Sequence, residues 1–375
     1  MKKYFTTLLI IAIAVIFSFA QSSTKTTKKA NKLFFKGDIR GAIRVLDKAI
    51  AKKKDLLSAY VMRSNLRMFS RNIPGAVSDL DRAIELAPTK AVLYAKRAKI
   101  KSFLRDKSAM ADYDSAIKFG YETDKVLVGR GNFKRISGDI LGSIEDYRAA
   151  IKLNPESPDA VNGLALSLQR NNQRDTAINL LRDFLRRYEE FKGRKPTEKS
   201  EDGRINLVGA SITPEFDEAP NQSFAEMKNQ LQLALNVAQA YTNLANMLTK
   251  KQDLDAALVT IEKALQINRQ SFYPRYLRGK IFLFKKEYKK ALKDFNFSIK
   301  RVPRIAYTYA DRGITYLWLG EPQKAQKDFD KYLQLYPRGE TQLKIRIEET
   351  KKVLRIQKER SNLERSLQSL RKTNA

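Results

Sequence analysis

The small and large apolar residues of this chain recur with a long period. Small residues stand at Ala42, Ala76, Ala109, Ser143 and Ala177, at intervals of 34, 33, 34 and 34, and the series resumes at Ala257, Ala291 and Ala325. Twelve residues before these anchors is a second small residue, Ala30, Ser64, Gly131, Ala165, Ala245, Gly279 or Gly313; in the one shorter repeat Ala98 stands eleven before. Four residues after each anchor comes a large apolar one: Leu46, Leu80, Tyr113, Tyr147, Leu181, Ile261, Phe295 and Phe329. All eight repeats keep all three columns. Such a unit predicts two antiparallel helices, with small side chains where the helices cross closely and large ones filling the space between neighbouring pairs.

Weaker columns agree. Ala49, Ala83, Ala116, Ala150, Ala264 and Ser298 lie seven after the anchor; Pro88, Pro155, Pro303 and Pro337, twelve after it, stop the second helix; Gly37, Gly138 and Gly320 occupy the turn between helices. On these residues the chain resembles the tetratricopeptide repeat. The resemblance implies an all-α, right-handed α-solenoid of about eight helix-turn-helix repeats with a C-terminal capping helix, its first helices lining a concave groove. The aromatic that opens the first helix is present as Tyr60, Tyr94, Tyr241 and Tyr309 and missing elsewhere. The fifth repeat has Phe184 for its small residue and no proline, which marks an interruption of the stack.

From Ala177 to Ala257 the gap is 80 residues, and Lys192 to Gln222 carries Lys-Pro, Asp-Gly and Ala-Pro turns with little apolar periodicity. This stretch reads as an exposed excursion, either a solvated loop or a binding arm. The Ser223 to Glu226 capping box then opens a helix into the sixth repeat. The expected organisation is a signal peptide at 1–20, repeats one to five at 21–191, an insertion at 192–222, repeats six to eight at 223–337, and a basic helix and tail at 338–375.

Composition narrows the chemistry. The chain has no Cys and no His, so disulfides, thiolate metal sites, imidazole ligands and His-dependent nucleophilic triads are excluded. No metal site, cofactor or catalytic residue is expected; carboxylates such as Glu215 and Asp217 in the insertion are the slender basis for an enzyme. Lys+Arg outnumber Asp+Glu by 72 to 41, a net charge of +31. Lys2 and Lys3 precede an apolar run from Leu8 to Phe19, and Ser18 and Ala20 place small residues before a cleavage point at Gln21. The expectation is export to a bacterial periplasm or beyond, with an uncleaved anchor as the other reading. Nucleic-acid binding suits the charge but conflicts with export.

Two charged columns move together. Arg63, Arg97, Arg130, Arg278 and Arg312 precede the anchor by thirteen, or by twelve in the short repeat, and the same five repeats carry Asp79, Asp112, Asp146, Asp294 and Asp328 three after it. The other three repeats have neither, so these are expected to be structural pairs between helices. Function is sought in the groove column eleven before the anchor: Asn31, Asn65, Asn132 and Asn246, with Lys99 and Lys280 at the corresponding places. Amides and amines there suit the backbone of an extended peptide, or else make helix contacts. The tail-carboxylate clamp of some tetratricopeptide domains needs Lys where this chain has Thr27, Val61, Val128 and Thr242.

Tyr273, Tyr276, Phe284, Tyr307 and Trp318 fall beside Lys280 on the expected inner face, as a partner anchor or as the seat of the C-terminal helix. That helix, from Glu340 to Lys372, has the apolar stripe Leu343, Ile347, Leu354, Leu363, Leu367 and Leu370, suited to covering the last repeat. The expected function is a non-enzymatic scaffold whose groove binds a protein or peptide, acidic ones favoured. The alternative is an electrostatic adaptor holding anionic envelope polymer or membrane through its basic face and tail.

Overall fold

The structure, a computed structural model, describes residues 24–54, 56–192 and 220–373. The expected signal peptide and most of the insertion, with Glu215 and Asp217, lie outside the described residues. Seventeen α-helices follow one another with no strand among the described residues. They form consecutive pairs: α1 (Lys25–Phe35) with α2 (Ile39–Ala51), α3 (Leu56–Phe69) with α4 (Ile73–Leu86), α5 (Ala91–Phe103) with α6 (Ala109–Lys118), and α7 (Asp124–Ser137) with α8 (Ile140–Leu153). The fifth pair is α9 (Pro158–Arg170) and α10 (Arg174–Lys192). Then come α11 (Pro220–Lys250) with α12 (Leu254–Ile267), α13 (Phe272–Phe284) with α14 (Tyr288–Arg301), α15 (Ala306–Trp318) with α16 (Pro322–Leu335), and a final α17 (Glu340–Thr373).

The repeat columns land where helices meet. All eight anchors are fully buried, and so are their large partners four residues on. Removing each large side chain from water stabilises the stack by roughly 1.5–3 kcal/mol. Size is balanced across the helix crossing. Where the large residue is Tyr147, Phe295 or Phe329, the facing small residue is Gly131, Gly279 or Gly313; where it is Leu or Ile, the facing residue is Ala or Ser. A Cβ on Gly313 would lie 2.4 Å from the Phe329 ring. Tyr113 is the exception, facing Ala98, and its ring instead closes on Gly129, where a Cβ would meet the hydroxyl at 2.7 Å.

The turns inside the pairs follow one rule. Gly37, Arg71, Arg105, Gly138, Asn172, Gln252, Lys286 and Gly320 all have positive φ, from 58° to 97°. The sequence marks only the glycines; the other five adopt the left-handed region because the helix crossing requires it. In the first, second, fourth and sixth pairs the next residue, Asp38, Asn72, Asp139 or Asp253, is the N-cap of the second helix and accepts a backbone N–H there.

Two expectations are corrected. Helix α11 starts at Pro220, three residues ahead of Ser223, so Ser223 lies within the helix and is not its N-cap. Proline is preorganised for the first helical position, where its missing N–H costs nothing. Helix α10 runs unbroken to Lys192 with Phe184 and Leu185 buried, so the fifth pair is a full helix pair despite lacking the small residue and the proline. In α17, Leu343 is buried and Ile347 packs on the last core, but Leu363 is 61% exposed, so the cap covers the stack only with its leading turns. Backbone contacts divide the chain into two units, Met1–Asn236 and Val237–Ala375.

Candidate functional site

The first helices are fixed by an ion-pair device more extensive than the sequence columns suggest. Arg63 Nη2 donates to Asp79 Oδ1 of its own repeat at 2.6 Å, and its Nη1 donates to Asp47 of the preceding repeat at 2.6 Å. Arg97 joins Asp112 and Asp81 in the same way, Arg130 joins Asp146 and Asp114, and Arg278 joins Asp294 and Glu262. Arg312 joins Asp328 and the Asn296 amide oxygen. Each guanidinium therefore ties one first helix to two second helices. The inner Asp is buried and the outer partner exposed. Arg67, Lys101 and Lys134, one turn further along, give Asp79, Asp112 and Asp146 a second cation.

Burial works against the Arg63 charge, but the hydrogen bonds to Asp79 and Asp47 outweigh it and hold the guanidinium above its usual range. For Arg278 the Asp294 hydrogen bond is the largest influence, with the same outcome. The outer partners escaped the sequence reading, although each lies 16 residues before its arginine, as the inner Asp lies 15 or 16 after it. That symmetric spacing is the signal that would have found them.

The clamp also orients the groove. Positions two apart on a helix are about 200° apart, so a residue two after a clamped arginine leaves its helix on the side opposite the clamp. Asn65, Lys99 and Asn132 stand two after Arg63, Arg97 and Arg130, and all three line one groove of about 1400 Å³ in the first unit. Thr27, Val61 and Val128 form part of its wall. The leading end of α11 reaches it too, through Asn229, Gln232 and Leu233. Lys90, Lys96 and Lys125, which the sequence reading did not select, add cations beside Lys99. Burial pushes the Lys96 ammonium below its usual range, with repulsion from Lys99 adding to it. Asp124, Glu156 and Asp159 line the same groove. Desolvation raises the Asp159 carboxyl, opposed by a hydrogen bond from Asn236.

The asparagines are not equivalent. Asn132 Oδ1 accepts the Tyr147 hydroxyl at 2.9 Å and the Arg135 guanidinium at 3.3 Å, so this amide braces its own helix pair. In contrast, Asn31 Oδ1 and Asn65 Nδ2 are shielded from solvent without a hydrogen-bond partner. A buried polar atom left unpaired costs roughly 1–3 kcal/mol, which a ligand group would recover.

In the second unit Asn246 is half-buried on α11, and Lys280 lies 5.8 Å over the Phe284 ring. The aromatic residues form two groups. Tyr276 is packed between Tyr273 and Tyr307, with ring centroids 6.0 and 4.5 Å away. Trp318, at the far end of α15, stacks on Tyr288 at 5.6 Å and 8°. The Tyr276 hydroxyl donates to buried Asp311 at 2.7 Å, and Asp311 also takes the Arg346 guanidinium from α17. Burial raises the phenol far above its usual range, and the Asp311 charge adds to it. Only 8% exposed, Tyr276 is linked to α17 through Asp311 and Arg346, while Tyr307 and Phe284 remain open to solvent. No group of acidic residues that could hold a metal occurs among the described residues.

Residues 238–271, the sixth helix pair, match the family model of the tetratricopeptide repeat. The helix-pair stack is a tetratricopeptide-type solenoid. Its backbone is similar to a tetratricopeptide repeat protein from Parabacteroides merdae, at 15% identity and TM-score 0.53, over 79% of this chain and 98% of that one. It is also similar to yeast Tom70, at 17% identity and TM-score 0.52, over 89% of this chain and 62% of that one. In sequence, 164 residues are 27% identical to a TPR repeat-containing protein of Methanocaldococcus jannaschii, covering 41% of this chain and 29% of the relative. The matched stretch is thus less than a third of that relative's length. Tetratricopeptide-repeat scaffolds in general serve protein–protein interaction.

Proposed function

We propose that the chain is a non-enzymatic, exported scaffold whose first-unit groove holds an extended protein segment. The unpaired Asn65 amide on the wall of a groove flanked by lysines carries this reading. An extended peptide supplies what that wall lacks, a backbone carbonyl for Asn65 Nδ2 and carboxylates for Lys90, Lys99 and Lys125. Asp124, Glu156 and Asp159 share the groove with these lysines, so a segment of mixed charge, with basic or amide groups beside Asp124 and Asp159, suits it best. Export rests on the Leu8 to Phe19 run and its flanks.

The test is selection of peptides from a displayed library on the full chain, followed by titration calorimetry. Selected peptides are expected to be acidic in part and to bind Asn65→Ala and Lys99→Ala at least about tenfold more weakly, a loss of about 1.4 kcal/mol. Peptides that bind both variants undiminished would remove the groove from the reading.

A further inference from the structure

The edge made by the turns inside the first four helix pairs carries a row of apolar tips. Phe35, Phe103 and Ile136 stand there at the ends of their first helices, and Leu104 follows Phe103, whereas Phe69 at the same place in the second pair is half-buried against the first core. Phe35 is 63% and Phe103 74% exposed, and neither belongs to a core cluster. Successive turns are neighbours. The Phe34 and Phe69 rings meet edge-on at 5.5 Å, and Arg170 Nη1 donates to the Arg135 carbonyl at 2.9 Å.

Cations are interleaved with these tips. Lys36, Arg40, Arg71, Arg105 and Lys107 are all exposed on the same turns and form no ion pair among the described residues. Three carboxylates share these turns, Asp38, Asp106 and Asp139, accepting the backbone N–H of Gly41, Ser108 and Gly142, so the five cations leave a net positive excess. Turns of the second unit pair more of their cations: Lys285 with Asp255, Lys290 with Glu287 and Lys324 with Glu321, leaving Lys286 exposed. The unpaired excess of positive charge and the exposed rings therefore coincide on one edge of the first unit.

We infer that this edge is a peripheral docking surface for an anionic lipid bilayer. Aromatic and aliphatic tips enter the headgroup boundary, and the interleaved cations engage the phosphates, the two contributions that hold an interfacial protein surface. Each tip stands on its own turn, roughly 8–10 Å from the next helix, and the first three turns carry the cations. Such a discontinuous row matches a deformable surface better than a protein socket. No described helix is long and apolar enough to cross a membrane, and this contact requires none. The inference is independent of the groove, which lies on another face of the same helices.

The experiment is co-sedimentation of the full chain with vesicles of equal parts phosphatidylglycerol and phosphatidylcholine, against phosphatidylcholine alone. The chain is expected to bind the anionic vesicles at physiological salt. The triple variant Phe35→Ser, Phe103→Ser, Ile136→Ser is expected to lower partitioning at least about tenfold with helicity and melting unchanged. Phe284→Ser, the equivalent tip of the second unit, and Asn65→Ala are expected to leave binding intact. Absence of binding to anionic vesicles would overturn the inference, as would binding that ignores the triple substitution and vanishes with added salt. Should the triple variant lose its fold, Arg71→Glu with Arg105→Glu decides: undiminished binding refutes the edge, and loss supports it.

Discussion

In repeat four, Arg130 joins α7 to Asp146 of α8 and Asp114 of α6. In repeat five the same three positions hold Leu164, Leu180 and Arg148, and the pair is packed instead by buried Val161, Leu164, Leu168, Leu181 and Phe184. Both pairs keep the same buried anchor and the same left-handed turn, at Gly138 and Asn172. The clamp is therefore not a condition of the fold. Its inner carboxylate is desolvated, which costs free energy that the guanidinium and Lys134 only offset. What the charged version adds over the apolar one is a second tie: one guanidinium links a first helix to the second helix of its own repeat and to that of the repeat before.

The largest expected effect breaks the clamp on one side. Asp146→Ala leaves Arg130 and Lys134 facing a dry pocket, and should cost about 3–5 kcal/mol in urea denaturation. Converting repeat four to the chemistry of repeat five, Arg130→Leu with Asp146→Leu, should return most of that stability. A double variant as unstable as the single one would mean that repeat five owes its packing to something other than the apolar exchange.

Next in size are the turns. Gly138 sits at φ 97°, so Gly138→Ala should cost about 1–2 kcal/mol, whereas Asn172→Gly at φ 60° should change stability by only a few tenths. Thermal melts of the two variants check this, and equal effects would show that the turns are not under the same constraint. The smallest effect concerns the outer partner. Asp114 is 58% exposed, so Asp114→Asn should cost less than about 1 kcal/mol and lose even that in high salt. A larger loss would place the outer bond on a par with the inner one.

Much of this was legible in the chain. The Arg and Asp columns announced their own pairing, because charge appears in both positions or neither. The outer partners were missed because Glu262 and Asn296 replace Asp in two repeats, so the column looks irregular until the arginine is placed between two helices. The asparagine column was read as one feature, yet Asn132 braces Tyr147 while Asn65 stays unpaired. Nothing in the local sequence separates them; the difference is whether a Tyr or a Leu occupies the second helix, which decides whether a hydroxyl is within reach.

The sequence by itself determined the helix pairs, their number and their contacts, because steric fit at each crossing depends on residue size at a fixed period, and size is written in every repeat. It also determined which chemistries are absent. Only the tertiary structure decided that Lys96 and Asp159 line the same groove, that Tyr276 is linked to α17 through Asp311 and Arg346, and that Phe35 and Phe103 stand uncovered. Those facts depend on which surfaces of neighbouring repeats meet, and so on distances between residues far apart in the chain, which periodicity does not encode.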